Sequence, residues 1–286
     1  MIIWLASYPK SGNTWLRSFI ASLLFNKTAT LSLKSLSNIP QFPLRSHFNN
    51  FVNKHEIDDL NKVSSYWIKS QQIINLDKKV KFFKTHHALC KIKGSIFTNY
   101  ENSLGVIYIV RDPRNVISSI KYHFSKENYT EAKNFLFNEN KCLGKKFDEN
   151  SKDKNRDMLT VIASWKTHYN SWKNFKKNYL LIKYEDLVSN PHEEFTKIAE
   201  YLSKLTKMKI EDGKILTAIK NNNFENLKKI ENKDGFVEAA NDKNTGKTKS
   251  FFNLGPNNKW QEKLDIEIRQ SIEEKFEIEM RELGYL

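Results

Sequence analysis

Cysteine is nearly absent: the 286 residues contain two, Cys90 and Cys142, and neither has a partner at CxxC spacing. No zinc site or redox motif is therefore suggested. Two isolated thiols fit a reducing compartment and leave one disulfide open. Long apolar runs are missing as well; none approaches the roughly 20 residues of a membrane span. The N-terminus has neither a basic leader region nor a small-residue cleavage site, so no signal peptide is expected. These absences point to a cytoplasmic location. The sequence shows no internal repeat and no linker that would split it, and a single domain over residues 1–286 is the expectation.

What is present is the balance of a folded globular chain, with 39% hydrophobic and 28% charged residues. The formal net charge of +14 admits an anionic ligand or surface. The lysines are scattered, as in Lys173, Lys176 and Lys177, then Lys204, Lys207 and Lys209, then Lys243, Lys247 and Lys249. That scatter favours an anion-tolerant surface over a dedicated basic arm, and no nucleic-acid partner is expected.

Hydrophobic periodicity gives the organisation. "IIWLAS" is an apolar run of strand length, and "TWLRSFIASLLF" then has helix spacing, with Trp15, Phe19 and Leu23 on one stripe and Leu16, Ile20 and Leu24 on the next. Residues 25–78 carry Pro40 and Pro43 and read as loops and short helices. "KVKFFKT" (79–85) and "LGVIYIV" (104–110) read as strands, the second apolar throughout, as a strand covered on both faces should be. "RDPRNVISSIKYHF" follows with Asp112 as helix cap and Pro113 in the first turn. Residues 125–156 read as a polar insertion or irregular helices. The spacing predicts a helix over 161–175, a strand passing into a turn or helix over 178–187, and an amphipathic helix over 191–202. A flexible loop is expected over 231–250 and a last helix over 261–283, stopped by Gly284. The order implies an α/β fold: a mostly parallel central sheet flanked by helices on both faces, with a P-loop-like turn after the first strand.

That turn, "SYPKSGNTW" (7–15), carries the chemistry. A loop running from strand into helix exposes the helix's first N–H groups, which favour an anion. Gly12 lets the backbone approach, Ser11 and Thr14 offer hydroxyls, and Lys10 adds a positive charge. The triphosphatase loop G-x-x-x-x-G-K-[ST] is not matched here, because Lys10 precedes Gly12 and the turn has no Gly-Lys-Ser/Thr triplet.

"YPKSGNTW" resembles the 5′-phosphosulfate-binding loop, YPKSGTTW, of sulfotransferases that use 3′-phosphoadenosine-5′-phosphosulfate (PAPS), with Asn13 in place of a threonine. Further segments agree in order. "VIYIVRDPRNVISSIKYHF" resembles the family's 3′-phosphate segment, which assigns Arg111 and Ser119. "FFKTHHAL" resembles its KTH segment, which assigns His86 as general base and Lys84 as a partner of the transferring group; His87, next door, is the other candidate base. "LIKYEDL" and "NNNFENLKK" resemble the segments that place an aromatic at adenine, here Tyr184 and Phe224, although either ring also suits ordinary core packing. The loop's Lys10, Ser11, Gly12, Asn13, Thr14 and Trp15 take the donor's phosphosulfate and adenine sides by the same resemblance. "WKTHYNSW" resembles a helix near the acceptor pocket; burial of its tryptophans explains it equally well, and His168 is not counted as catalytic.

One departure stands out. Where the family carries FVRKGKVGDW, this chain has "FFNLGPNNKW" (251–260), so Asn253 and Leu254 replace an Arg-Lys pair. Asn253 and the Gly255 N–H remain as phosphate ligands, with Lys247, Lys249 or Lys259 as sources of charge. The implied reaction is in-line transfer of a sulfuryl group from PAPS to a hydroxyl or amine of an unidentified acceptor, without a metal. The alternatives from composition and loop are a nucleotide kinase or other phosphotransferase, and a non-catalytic polyanion-binding module.

Overall fold

In a computed structural model, which describes residues 1–53, 56–144, 158–242 and 245–286, Ile2–Ala6 form strand β1 and all five are buried. A run without a polar member suits a strand covered on both faces. β1 is flanked on both edges, by β2 (Lys81–Thr85) and β5 (Ser103–Val110), and both pairings are parallel. Strand β8 (Tyr179–Lys183) completes the order β2-β1-β5-β8. The short pairs β3 (Lys91–Ile92) with β4 (Ser95–Ile96), and β6 (Cys142–Leu143) with β7 (Thr160–Val161), are antiparallel. The α/β class and the parallel central sheet flanked by helices agree with the element order expected from the sequence.

The chain divides into two units interleaved in sequence. The first comprises Met1–Tyr8, Ile39–Tyr108 and Asn138–Leu181. It holds most of the sheet. Its core centres on Trp4, whose ring lies 5.5 Å from Phe42 and Phe97 and 6.1 Å from Phe83. The indole N–H is not left unsatisfied: it donates to Ser103 Oγ at 2.8 Å. Helices α2 (Leu60–Ser65), α3 (Trp67–Ile74) and α6 (Trp165–Lys173) belong to this unit. Trp165, Tyr169 and Trp172 are buried along one face of α6, as their spacing predicts. The helix begins later than the expected residue 161, because Thr160–Val161 pair as β7 and Ser164 caps the helix by accepting from the Thr167 N–H.

The second unit comprises Pro9–Asn38, Ile109–Phe137 and Ile182–Leu286. Its helices are α1 (Asn13–Phe25), α4 (Pro113–His123), α5 (Tyr129–Phe137), α7 (Tyr184–Ser189), α8 (Pro191–Thr206), α9 (Asp212–Asn221), α10 (Phe224–Asp234), α11 (Ile266–Lys275) and α12 (Glu277–Glu282). Asp112 caps α4 through the Arg114 N–H at 2.9 Å and Pro113 opens its first turn, as expected. The predicted helix over 261–283 is instead two helices broken at Phe276, whose φ of −119° and ψ of 20° leave the helical region. Of its apolar stripe, Ile268, Ile272, Phe276 and Met280 are nevertheless buried, while Leu264, ahead of the first helix, is half-buried. The loop expected at 231–250 is also shorter than foreseen, since α10 continues to Asp234. Lys243 and the last part of the polar insertion, residues 145–156, lie outside the described residues; α5 and β6 occupy part of the remainder. No helix among the described residues is long and apolar enough to cross a membrane.

Candidate active site

In the second unit, the turn after β1 leads into α1 through Gly12, which serves as the helix N-cap. Its φ of +100° lies in the left-handed region, and no side chain caps the helix there. A Cβ on Gly12 would sit 2.5 Å from Cδ2 of Tyr184. Only glycine relieves both the backbone conformation and the contact. Ser11 is fully buried, yet its Oγ has no hydrogen-bond partner among the described residues. A buried hydroxyl without an acceptor, beside an uncapped helix N-terminus, fits an anionic group such as the phosphosulfate end of PAPS. Asn13 and Thr14 are buried in the first turn of α1. Lys10 places its Nζ 3.9 Å from the centre of the Phe251 ring.

Arg111 joins several of these pieces. Its Nη1 donates to the Lys10 carbonyl at 3.3 Å and its Nη2 to the Gly255 carbonyl at 3.1 Å, while the guanidinium stacks 4.0 Å over the Tyr184 ring. Gly255 has φ +52°, and a Cβ there would fall 2.2 Å from the Phe224 ring. Phe224 is thus seated directly on the Gly255 backbone. Trp15 donates from Nε1 to the Asn222 carbonyl at 2.5 Å, with ring edges toward Tyr184 and Phe195. Ser119, on α4, meets the same C-terminal segment through Asn258, whose Nδ2 reaches Ser119 Oγ at 3.4 Å and the Asn115 carbonyl at 2.7 Å. Asn253 is half-buried between Phe251 and Gly255.

Of the lysines considered as replacements for the missing Arg-Lys pair, Lys249 is already engaged. Its Nζ contacts Asp242, Ser125 Oγ and the Tyr122 carbonyl at 2.9, 2.9 and 3.0 Å. Lys247 is exposed, and Lys259 is exposed and pairs with Glu262 at 3.7 Å. A Gly-Lys-Thr triplet does occur at 246–248, but on an exposed segment with Asn241, not glycine, five positions before Gly246. It is no triphosphatase loop.

In the first unit, the ends of β1 and β2 lie side by side, with Ala6 opposite Thr85 and the Ser7 N–H on the Thr85 carbonyl at 3.2 Å. Ligands of parallel sheets collect at such carboxyl ends. His86 is the next residue and is half-buried. Its Nδ1 is 2.9 Å from the Ser7 carbonyl and 3.2 Å from Ser7 Oγ. A carbonyl only accepts, so Nδ1 carries a proton, and in the neutral ring Nε2 is then the basic nitrogen. His87 is fully buried, stacked 4.4 Å from Phe97 and edge-on to Trp67 at 4.8 Å. Burial pulls its pKa down to about 4. Lys84 is buried on β2, with its N–H on the Pro40 carbonyl and its own carbonyl accepting from Phe42. Among the described residues, no group of three or more His, Cys, Asp or Glu is arranged to hold a metal ion.

The family model of the sulfotransferase domain matches residues 2–284. The chain belongs to the sulfotransferase family. This sulfotransferase is 27% identical over 273 residues to cytosolic sulfotransferase 13 of Arabidopsis thaliana, a match that covers 94% of this chain and 74% of the relative. It is 25% identical over 227 residues to the 3-alpha-hydroxysteroid sulfotransferase of Cavia porcellus, covering 79% of this chain and 65% of the relative. Its fold is similar to that of mouse sulfotransferase SULT7A1 complexed with PAP, with a TM-score of 0.59, 19% identity, and coverage of 98% and 84% of the two chains. It is likewise similar to retinol dehydratase in complex with androsterone and inactive cofactor PAP, with a TM-score of 0.61, 17% identity, and coverage of 98% and 80%.

Some residues escaped sequence reasoning. Ser7, whose carbonyl orients His86, was hidden because a main-chain acceptor has no residue signature. Asn222 and Asn258 sit in asparagine-rich stretches, "NNNF" and "GPNNKW", where composition conceals the one buried asparagine in each. Phe251 opens the "FFNLGPNNKW" segment, where nothing in the sequence signals that it carries the Lys10 ammonium.

Proposed function

We propose that residues 1–286 act as a single cytoplasmic sulfotransferase domain in which the Lys10–Trp15 loop takes PAPS and His86 activates a hydroxyl or amine acceptor. The observation that carries this reading is the loop itself: a buried Ser11 hydroxyl with no hydrogen-bond partner among the described residues, beside an α1 N-terminus without a side-chain cap and a lysine. When bound, PAPS supplies an activated sulfuryl group and a nucleotide leaving group. The chain's own residues do the rest. Ser11, Thr14 and the first-turn N–H groups of α1 hold the phosphosulfate end. Lys10 neutralises charge where it develops as the sulfur–oxygen bond breaks, and Lys84 neutralises the transferring group. Arg111 and Ser119 take the 3′-phosphate, with Asn253 and the Gly255 N–H beside them. Trp15, Tyr184 and Phe224 form aromatic walls for the adenine. His86 removes the acceptor's proton at Nε2, with Nδ1–H held on Ser7.

The test is calorimetric titration with 3′,5′-adenosine diphosphate against ATP and magnesium. Binding of the first without the second is expected, with about 2.7 kcal/mol of added stability at a hundredfold excess over Kd. Tighter binding and magnesium-dependent turnover of ATP would overturn the proposal. A panel of phenol, alcohol, sugar and amine acceptors with labelled donor then gives the acceptor class.

A further inference from the structure

Strand β2 ends at Thr85, so the sheet does not hold the peptides that follow. The carbonyls of His86 and His87 are instead taken by two ring N–H groups of α6. His168 Nε2 lies 3.1 Å from the His86 carbonyl, and Trp172 Nε1 donates to the His87 carbonyl at 2.8 Å. Residues 168 and 172 are four apart and share one face of the helix. The His168 ring is fully buried, edge-on to Tyr8 at 5.7 Å, and its Nδ1 is 2.8 Å from the Tyr108 hydroxyl.

These contacts define one protonation state. The His86 carbonyl accepts only, so His168 Nε2 must donate; its Nδ1 must then accept, and the Tyr108 hydroxyl must donate. Both ring nitrogens are satisfied in a neutral imidazole. Burial holds the pKa of His168 down to about 3, so the ring neither takes nor gives a proton near neutrality. Any influence it has on the reaction passes through geometry.

We infer that His168 is a positioning residue that, held by Tyr108, clamps the main-chain carbonyl of His86 and so keeps the His86 ring on Ser7 through Nδ1, with Nε2 as its basic nitrogen. The inference rests on the reading of His86 as the base. His86 is then fixed at two points, through its side chain to the end of β1 and through its carbonyl to α6. Without the clamp the 86–87 peptide can turn, and the Cα that carries the imidazole is no longer fixed against the Ser7 carbonyl, which opens the other tautomer to the ring.

The experiment combines nitrogen-15 NMR of the histidine rings in the unliganded full chain with turnover of PAPS, on wild type, His168→Leu, His168→Gln and Tyr108→Phe. In wild type, His86 is expected as the Nδ1–H tautomer and His168 as Nε2–H. In His168→Leu, His86 should populate both tautomers. Its kcat should fall about tenfold or more, short of the 10²–10⁴-fold typical of losing a general base. Affinity for 3′,5′-adenosine diphosphate should be unchanged. His168→Gln, which keeps a donor, should recover most of the loss. Should His168→Leu fail to fold, Tyr108→Phe and the wild-type tautomers carry the test. A wild-type His86 in the Nε2–H form, or a folded His168→Leu chain with the wild-type tautomer and kcat, would overturn the inference. His86→Ala separates the two readings. If that variant turns over normally, the assignment of the base is wrong. If it is inactive while His168→Leu is unaltered, only the clamp is wrong.

Discussion

The Lys10 ammonium and the Phe251 ring form a cation–π pair, 3.9 Å from nitrogen to ring centre. Such a contact contributes about 0.5–2 kcal/mol depending on desolvation. It holds a flexible lysine to the same loop system that Arg111 ties through the Lys10 carbonyl. Removing one donor that acts only as charge develops typically costs about 2.7–4 kcal/mol of barrier. Lys10→Ala should therefore slow turnover by about 100-fold or more, as read from kcat with saturating PAPS and acceptor. Near-wild-type turnover would remove Lys10 from the chemistry.

Gly12→Ala should damage both the loop and its ligand. A left-handed backbone costs an L-residue roughly 1–2 kcal/mol, and the new Cβ would meet the Tyr184 ring at 2.5 Å. Urea unfolding should show a loss of at least that size, and the thermal shift given by 3′,5′-adenosine diphosphate should vanish. Adding Tyr184→Ala should return part of the stability, because the two sites are in contact and their effects are not additive.

The Asn253-Leu254 pair makes a prediction with the opposite sign. With Lys249 engaged by Asp242, Ser125 and the Tyr122 carbonyl, two cations introduced as Asn253→Arg and Leu254→Lys should tighten 3′,5′-adenosine diphosphate binding. The gain should be larger at low salt, since exposed charges are screened beyond the Debye length. Calorimetry at two ionic strengths checks it; unchanged affinity at both would show that the 3′-phosphate does not reach this segment.

Acid should destabilise the fold through its buried histidines. His87 titrates at about 4 and His168 at about 3 in the folded chain, against 6.5 when unperturbed, because burial disfavours the charged ring. Between those values the unfolded chain holds protons that the folded chain lacks. Stability is thus fully present above about pH 6.5 and is lost as pH falls through the window below it. Each ring contributes up to roughly 1.4 kcal/mol per pH unit there. Urea midpoints should drop from pH 7 to pH 5, and His168→Gln should flatten that slope. Equal midpoints at the two pH values would contradict the burial of both rings as ionisable groups.

The strands and the capped helix at Asp112 were legible because each rests on a local rule: apolar runs of strand length, and a cap followed by proline. The break at Phe276 was not, because Ile268, Ile272, Phe276 and Met280 keep helical spacing across it. The late start of α6 depended on pairing between Val161 and Cys142, a contact between residues far apart in sequence. Lys10, Gly12, Arg111 and His86 were legible as a pattern. What holds Arg111 and His86 was not, since they donate to the carbonyls of Ser7, Lys10 and Gly255, and every residue type has one.

The neighbouring histidines have very different surroundings, one at the rim beside Ser7 and one stacked on Phe97. That division is set by alignment, because Ala6 opposite Thr85 decides which imidazole clears the sheet. Deleting one residue from Lys81–Thr85 would put His86 in the place of Thr85, opposite Ala6, and His87 in the place of His86 beside Ser7. The chain would keep both imidazoles and present the wrong one.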